Sequence, residues 1–376
     1  MNSTYLTYFD NASTSFPKPK AVSEAIAYYL NELGGSYGRG AYQRNFKVSS
    51  LVEECRTKLA YLLGVDKEEQ ILFSSGATHS VNLLLDGFLT LNAHVLVSPM
   101  EHNCVMRKLV QLGKSRGVTY SVLEHDIDGM VFPEKIFSSI KNNTQLIIIN
   151  HQSNVNGVIQ PIQDIVRRSD GVPVMVDGSQ SIGKQDIELQ KWGVAMFAFT
   201  AHKGLLGSTG VGGFYIREGI EINPLIYGGT GSRSESFDMP NFLPDMYEAG
   251  TPNIVGILGL LGALKNKPKA NHSFQDFLEF KNSVGELNGV VIKDAISQRN
   301  QGELFSFYHK VLTNSEIASA LFDRFKIEVR SGLFCSPLAH QTLKTFPSGL
   351  VRVAPSPYHT SADFDYFCQS LQQIIQ

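Results

Sequence analysis

Four cysteines in 376 residues (Cys55, Cys104, Cys335 and Cys368) lie far apart and include no CxxC pair. That scarcity argues against a disulfide framework or a structural zinc site, so no metal is expected and a cysteine that matters acts as a free thiol. A charge of one sign is also missing. With 33 Lys and Arg against 35 Asp and Glu the net charge is −2, so neither a polyanion nor a membrane surface is the expected partner. Long apolar runs are absent too. The longest near-apolar stretch, Ile254 to Leu264, is far short of the roughly 20 residues a bilayer span requires. Met1 to Asp10 has no basic segment leading into an apolar core, and the expected location is cytoplasmic. There is no internal repeat and no low-complexity tract. No GxGxxG follows a strand-like run, since neither Gly34 to Gly40 nor Gly204 to Gly213 fits the spacing, which speaks against a nicotinamide enzyme. Gly178 to Lys184 has the GxxxxGK spacing of a phosphate-binding loop. Gln185 follows it where Ser or Thr would be needed to hold magnesium, so the match is read as accidental.

What is present is an apolar content of 43% spread from end to end, enough for a large core in two or three domains. From Gln70 to Ile216, short runs rich in β-branched residues alternate with helix-length segments, the rhythm of βαβ units and a mainly parallel sheet. Strands are expected at Ile71 to Ser74, His94 to Ser98, Thr119 to Leu123, Gln145 to Asn150, Val172 to Asp177, Ala195 to Thr200 and Gly213 to Ile216. Helices are expected at Thr78 to Phe88, Val105 to Arg116 and about Asn253 to Lys265. The Lys- and Pro-bearing segment Lys265 to Ala270 reads as a domain boundary. Beyond it, strand-like Val290 to Ile292, Leu304 to Tyr308 and Ile327 to Val329, with helices at Ser315 to Phe325 and Ala362 to Ile375, suggest a smaller α+β domain.

In a parallel sheet, ligand-binding residues collect just beyond the carboxyl ends of the strands. Ser75-Gly76-Ala77-Thr78-His79 follows the first strand, and its free N–H groups at a helix start suit a phosphate. An ordinary glycine turn with Thr78 as N-cap fits the same residues. His102, after the second strand, suits stacking on a flat ring or carrying a proton, though a loop histidine is also a common surface group. Asn154 follows another strand, where Asn often serves only its own turn. Asp177 at the tip of a buried strand is costly without a cation, and Gln180 lies just after it. Lys203, between His202 and Gly204 after an apolar strand, is poorly placed for a solvated charge. Burial would lower its pKa and leave the free amine that a carbonyl cofactor requires. A phosphate, a flat ring, a ring nitrogen and an aldehyde together describe pyridoxal 5'-phosphate.

With these residues in view, the chain resembles the aminotransferase class V family of pyridoxal-phosphate enzymes, and within it the cysteine desulfurases and selenocysteine lyases. The resemblance rests on Tyr8-Phe-Asp-Asn-Ala-Ser-Thr14, SGATHS, EHN, HQSNVNGV, VDGSQSIG, FTAHKG, Tyr247-Glu-Ala-Gly-Thr-Pro-Asn253, Val329-Arg-Ser-Gly-Leu-Phe-Cys335 and Leu350-Val-Arg-Val353, in that order. It implies an α/β protein of PLP-dependent transferase fold type I. A large cofactor-binding domain (15–260) would hold a mainly parallel seven-stranded sheet, and a small domain (1–14 and 261–376) would carry the Cys335 loop and Arg352.

The resemblance also implies roles. Lys203 would bind the cofactor covalently, Asp177 would pair with the ring nitrogen, Gln180 and Asn154 would lie near the ring hydroxyl, and His102 would stack on the ring. Ala77, Thr78, Thr200 and His202 would hold the phosphate, completed by Thr251 of a second subunit, so a homodimer is implied. Arg352 would clamp an amino-acid carboxylate, with Asn154 beside it, and Cys335 would take sulfur from L-cysteine as a persulfide before passing it to a sulfur-acceptor protein. Cys55, Cys104 and Cys368 are expected to be inert core residues. The chain departs from the family's usual residue at His79, Phe334, Ser336 and His359. The expected activity is a pyridoxal-phosphate-dependent cysteine desulfurase. The alternatives are an aminotransferase or selenocysteine lyase acting on another small amino acid, and a non-catalytic cofactor-binding or sulfur-carrier protein.

Overall fold

The computed structural model describes residues 5–38 and 40–376. Seven strands build the larger sheet: β1 Ile71–Ser74, β2 His94–Val97, β3 Thr119–Val122, β4 Thr144–Asn150, β5 Val174–Asp177, β6 Met196–Thr200 and β7 Gly212–Ile216. Every one lies within two residues of its expected position, because runs such as Val-Met-Val and Ile-Ile-Ile are buried on both faces and need no polar alternation. The order across the sheet is β1-β7-β6-β5-β4-β2-β3. Strands β2 to β6 pair in parallel, while β7 is antiparallel to both β1 and β6. Strand β1 therefore points the same way as β6, and the carboxyl ends of β1 to β6 share one edge. The sheet is mainly parallel, as expected.

Helices α1 Lys20–Tyr28, α2 Gln43–Leu62, α3 Ala77–Phe88, α4 Asn103–Arg116, α5 Ile136–Ser139, α6 Ile162–Arg167, α7 Leu189–Trp192 and α8 Ile254–Lys265 surround it. Alternate residues of β4 and β5 enter two separate cores. Ile147, Ile149, Val174 and Val176 pack with α2 and α8, whereas Leu146, Ile148 and Met175 pack with α3 and α4. The near-apolar run becomes α8, buried almost all round, and a Cβ on its Gly262 would stand 2.5 Å from the Ala21 carbonyl oxygen of α1. Close approach of two backbones explains both the apolarity and the small residues. Among the described residues no helix is long and apolar enough to cross a membrane.

The smaller sheet contains β8 Val290–Lys293, β9 Phe305–His309, β10 Arg330–Gly332 and β11 Leu350–Val353 in the order β10-β11-β9-β8, antiparallel throughout. Helices α9 Phe274–Gly285, α10 Asn314–Phe325, α11 Pro337–Thr342 and α12 Ser361–Ile375 accompany it. The strand expected at Ile327 to Val329 is displaced. Ile327 is drawn into the core after α10, Glu328 makes a single bridge to Tyr8, and the ladder starts at Arg330 opposite Arg352. Helix α9, closed by a Ser273–Asp276 capping box, was not expected between Ala270 and Val290. The N-terminal segment joins this smaller unit: Phe9 is fully buried among Phe280, Phe305 and Phe367, and its N–H donates to the Glu328 carbonyl at 2.9 Å.

Candidate active site

A cavity of about 270 Å³ opens at the carboxyl edge of the large sheet, and residues from the loops after β1, β2, β4, β5 and β6 line it. Lys203, Asp177, His102, Asn154, Gln180, Thr200, His202, Ala77 and Thr78 all stand on its wall. Residues spread over 127 positions of sequence meet because a parallel sheet brings every strand end to the same edge.

The turn after β1 is shaped for an anion. Gly76 is the residue before α3 and has φ 146° and ψ 174°, a conformation that only glycine adopts without strain. Thr78 is not the cap, contrary to the simple reading of the turn. It lies inside the first turn, and no side chain caps the helix. Among the described residues, the N–H groups of Ala77, Thr78 and His79 therefore have no protein acceptor, and the helix N-terminus adds its positive end. The Thr200 hydroxyl would stand 3.9 Å from a Cβ on Gly76, and Thr200 and His202 line the same cavity as this turn.

Lys203 follows β6 in a loop held from outside. The His202 carbonyl accepts from the Ser15 N–H at 2.8 Å and from the hydroxyls of Thr14 and Ser15. Burial lowers the Lys203 amine below the usual lysine range, with Asp177 acting in the opposite direction. At the tip of β5 Asp177 is 3% exposed, and its Oδ1 accepts from the Ser179 N–H at 2.9 Å and from the Ser179 hydroxyl at 2.5 Å. Among the described residues its other oxygen meets only the Cys104 thiol, 3.9 Å away. His102 caps α4: its Nδ1 accepts from the Cys104 N–H at 3.1 Å, so the ring proton sits on Nε2. Burial pushes this imidazole down to about 4, and it is neutral at neutral pH. Gln180 donates to the Ala12 carbonyl at 2.9 Å. The GxxxxGK match at Gly178 to Lys184 forms turns and leads into no helix before Leu189, whereas a phosphate-binding loop opens directly into one.

Three expected residues stand off the cavity wall. Thr251 lines a neighbouring cleft that shares Ser75, His79 and Gly210 with the cavity. Arg352 is 2% exposed on β11 and is already engaged. Its Nη2 donates to Asp10 and to the Ser13 hydroxyl, both at 2.7 Å, its Nη1 donates to the Asn154 carbonyl at 3.1 Å, and its Nε has no partner among the described residues. Cys335 is exposed, in the left-handed region at φ 57°, and lies on an adjoining cleft of about 480 Å³ together with Thr78, His102 and Cys104. Asn154 links the two places. Its Nδ2 donates to the Phe334 carbonyl at 2.8 Å, and its Oδ1 accepts from the Ser336 hydroxyl at 2.8 Å.

Residues without an expected role also gather here. Cys104 is buried in the α3–α4 core, yet its sulfur faces Asp177 and lines both the cavity and the cleft; burial and that carboxylate push its thiol well above the usual range, which keeps it an unreactive thiol. Glu101 is fully buried beside Ser98 and Asn150, and desolvation raises its carboxyl to about 8. Asp10 and Ser13 hold Arg352. Asp10, Ser13 and Glu101 stand in the quoted motifs, the available signal, whereas Cys104 follows EHN and reads as an ordinary free cysteine.

The family model for Aminotransferase class-V matches residues 7–367. A protein of Methanothermobacter thermautotrophicus named "Probable cysteine desulfurase" is 28% identical, over 98% of this chain and 94% of the relative. "Cysteine desulfurase IscS" of Dictyoglomus turgidum is 27% identical over the same shares. Among solved structures, the apo cysteine desulfurase of Thermococcus onnurineus NA1 superposes with a TM-score of 0.91 at 26% identity, covering 98% of this chain and 94% of that one.

Proposed function

The chain belongs to the class-V aminotransferase family, and from that premise we propose that it is a pyridoxal-phosphate-dependent cysteine desulfurase, turning L-cysteine into L-alanine with the sulfur kept on Cys335. The observation that carries this reading is the meeting of Lys203 and Asp177 in one cavity with an unfilled row of helix N–H groups.

Those residues fit the cofactor. The N–H groups of Ala77 and Thr78, with Thr200 and His202, would hold its phosphate. Asp177, with one oxygen met only by a thiol, would hold a proton at the ring nitrogen. Neutral His102 would lie on a ring face, and Gln180 and Asn154 would stand near the ring hydroxyl. Lys203 would be the attachment point, and Thr251 of a second copy would complete the phosphate site in a homodimer. When bound, the cofactor supplies an electron-withdrawing ring that weakens the bonds at an amino acid's α-carbon.

The remaining work belongs to the chain. Arg352 would orient the substrate carboxylate, held by Asp10 and Ser13 until a bidentate partner arrives. Lys203, whose amine burial shifts toward the free base, would take the α-proton at Nζ. Cys335 Sγ, as thiolate, would attack the substrate sulfur. The S–S bond forms as the C–S bond breaks, the electron pair stays with the three-carbon fragment, and that fragment leaves as alanine after proton uptake. His102, whose Nδ1 is engaged by the Cys104 N–H and whose proton is therefore on Nε2, would carry a proton in the cavity. A soluble thiol or a sulfur-acceptor protein would then unload Cys335.

One observation favours a second reading. Cys335 stands on the cleft beside the cavity, so a reaction on another small amino acid, or on selenocysteine, could use Lys203 without it. The decisive assay supplies L-cysteine and a reductant to purified protein and measures alanine and sulfide for wild type and Cys335→Ala. Alanine formation that survives Cys335→Ala would remove the persulfide role, and a panel of amino acids would then identify the substrate. Wild type should be yellow with the cofactor and Lys203→Ala should lose that absorption. A wild type that never takes up pyridoxal phosphate overturns the whole reading.

A further inference from the structure

The cleft that carries Cys335 has a composition of its own. Besides Cys335 it is lined by Thr78, Asn82, His102, Asn103 and Cys104 on the cavity side and by Arg107, Lys108 and Gln111 of α4 further out. No Asp or Glu lines it. Lys108 shares the Asp86 carboxylate with Arg116 and also bonds Gln111, whereas Arg107 is exposed and makes no hydrogen bond or ion pair among the described residues. In a chain of net charge −2, this is a positive, acid-free pocket that opens directly on the one exposed cysteine. Its volume of about 480 Å³ falls in the range of small-molecule sites. Lys203, Asp177 and Arg352 are absent from its wall, so an amino acid reacting in the cavity leaves the cleft free.

The Cys335 loop is also fixed against this wall. The Asn103 N–H donates to the Cys335 carbonyl at 2.8 Å, and Asn154 holds the residues on either side of the cysteine. The thiol is therefore presented to the cleft by a defined backbone.

We propose that this cleft is the binding site for a small thiol acceptor that carries an anionic group, the anion lying at Arg107 and the acceptor sulfur at Cys335. The inference rests on the persulfide reading of Cys335. The acceptor thiolate attacks the outer sulfur of Cys335–S–SH, a new S–S bond forms, and the bond to Sγ breaks. Cys335 leaves as thiolate and the acceptor carries away the sulfur as its own persulfide, so no external oxidant or reductant is needed. A guanidinium suits a carboxylate or sulfonate because its fork matches two oxygens.

Two measurements on the cofactor-loaded protein test this. The first compares alkylation of Cys335 by iodoacetate and by iodoacetamide, read by mass spectrometry. The neutral reagent reports access and folding, and the ratio of the two reports the field at the cysteine. Arg107→Gln should lower the iodoacetate-to-iodoacetamide ratio about three- to fivefold, and Arg107→Glu further, with the effect shrinking as salt is added. The second starts from protein whose Cys335 persulfide has been verified by mass and follows its discharge to 3-mercaptopropionate, 2-mercaptoethanol and cysteamine. The anionic thiol should have the lowest KM in wild type and lose that advantage in Arg107→Gln. An unchanged alkylation ratio, or a KM order that ignores charge, overturns the cleft as an anion site while leaving the desulfurase reading standing. If no persulfide forms on Cys335 with L-cysteine, the desulfurase reading falls and takes the acceptor role with it, whatever the alkylation ratio.

Discussion

The hydroxyl of Ser336 donates to Oδ1 of Asn154 at 2.8 Å, and both residues are buried. With the Asn154 to Phe334 bond, it fastens the loop around Cys335 to a residue of the cavity wall. A side chain from the large-sheet edge thus sets where the exposed thiol stands.

Ser336→Ala should loosen that loop. The change leaves Oδ1 of Asn154 buried without a donor, a cost of about 1–3 kcal/mol. Sulfur transfer to Cys335 should slow while the visible absorption of bound cofactor is unchanged. Stopped-flow absorption beside mass-detected persulfide would show this, and equal loss in both signals would count against a loop role.

Gly76→Ala tests the anion turn. An added Cβ meets nothing nearer than the Thr200 hydroxyl at 3.9 Å, so space is not the obstacle. The backbone at φ 146° is, and strain of about 1–3 kcal/mol is expected. A lower Tm in the cofactor-free protein and weaker cofactor binding by titration should appear together. Unchanged values in both would show that the turn relaxes freely.

Arg56 is fully buried and clamps Glu248 with two bonds of 2.8 and 3.0 Å, while it also donates to the Ile71 carbonyl. Glu248 in turn accepts from the Phe73 N–H at 2.7 Å, which ties the segment before Thr251 to β1. Arg56→Ala should cost about 3–5 kcal/mol, since it strands a carboxylate in a nearly closed site. Denaturant unfolding measures this, and a loss below 1 kcal/mol would mean that Glu248 swings into water.

Acid should destabilise the protein through its histidines. Burial lowers His102, His151, His202, His340 and His359 to about 4, below the unfolded value of 6.5. Between those limits the unfolded chain binds more protons, so stability is full above pH 6.5 and falls as pH drops toward 4. Glu101 has the opposite sign. Its carboxyl is raised to about 8, so its contribution declines as pH rises from 4.5 to 8. Tm against pH should therefore fall steeply on the acid side, and Glu101→Gln should flatten the mild decline on the other. A flat Tm from pH 4 to 6.5 would contradict the buried, neutral histidines.

Much of this was legible without coordinates. Strand positions followed from apolar runs because a strand buried on both faces needs continuous Val, Ile and Met, a local property of the chain. Lys203, Asp177, His102 and the Ser75 to His79 turn are found by the same logic, since each stands at the end of a strand or in the loop beyond it. Helix α9 was missed although its Ser273–Asp276 box was in plain view, and the strand after α10 was misplaced because burial of Ile327 and pairing of Arg330 are separate events.

Contacts between distant segments could not be read this way. The primary structure settles which residue types end each strand, because backbone preference and side-chain polarity act over a few neighbours. It is silent on Arg352 being held by Asp10 and Ser13, on Asn154 gripping the Cys335 loop, and on Cys104 turning its sulfur to Asp177. Those relations arise when the small antiparallel sheet and the N-terminal segment pack onto the strand-end edge. Burial, hydrogen-bond pairing and lost solvent, none of which is local in the chain, then turn scattered polar residues into one site.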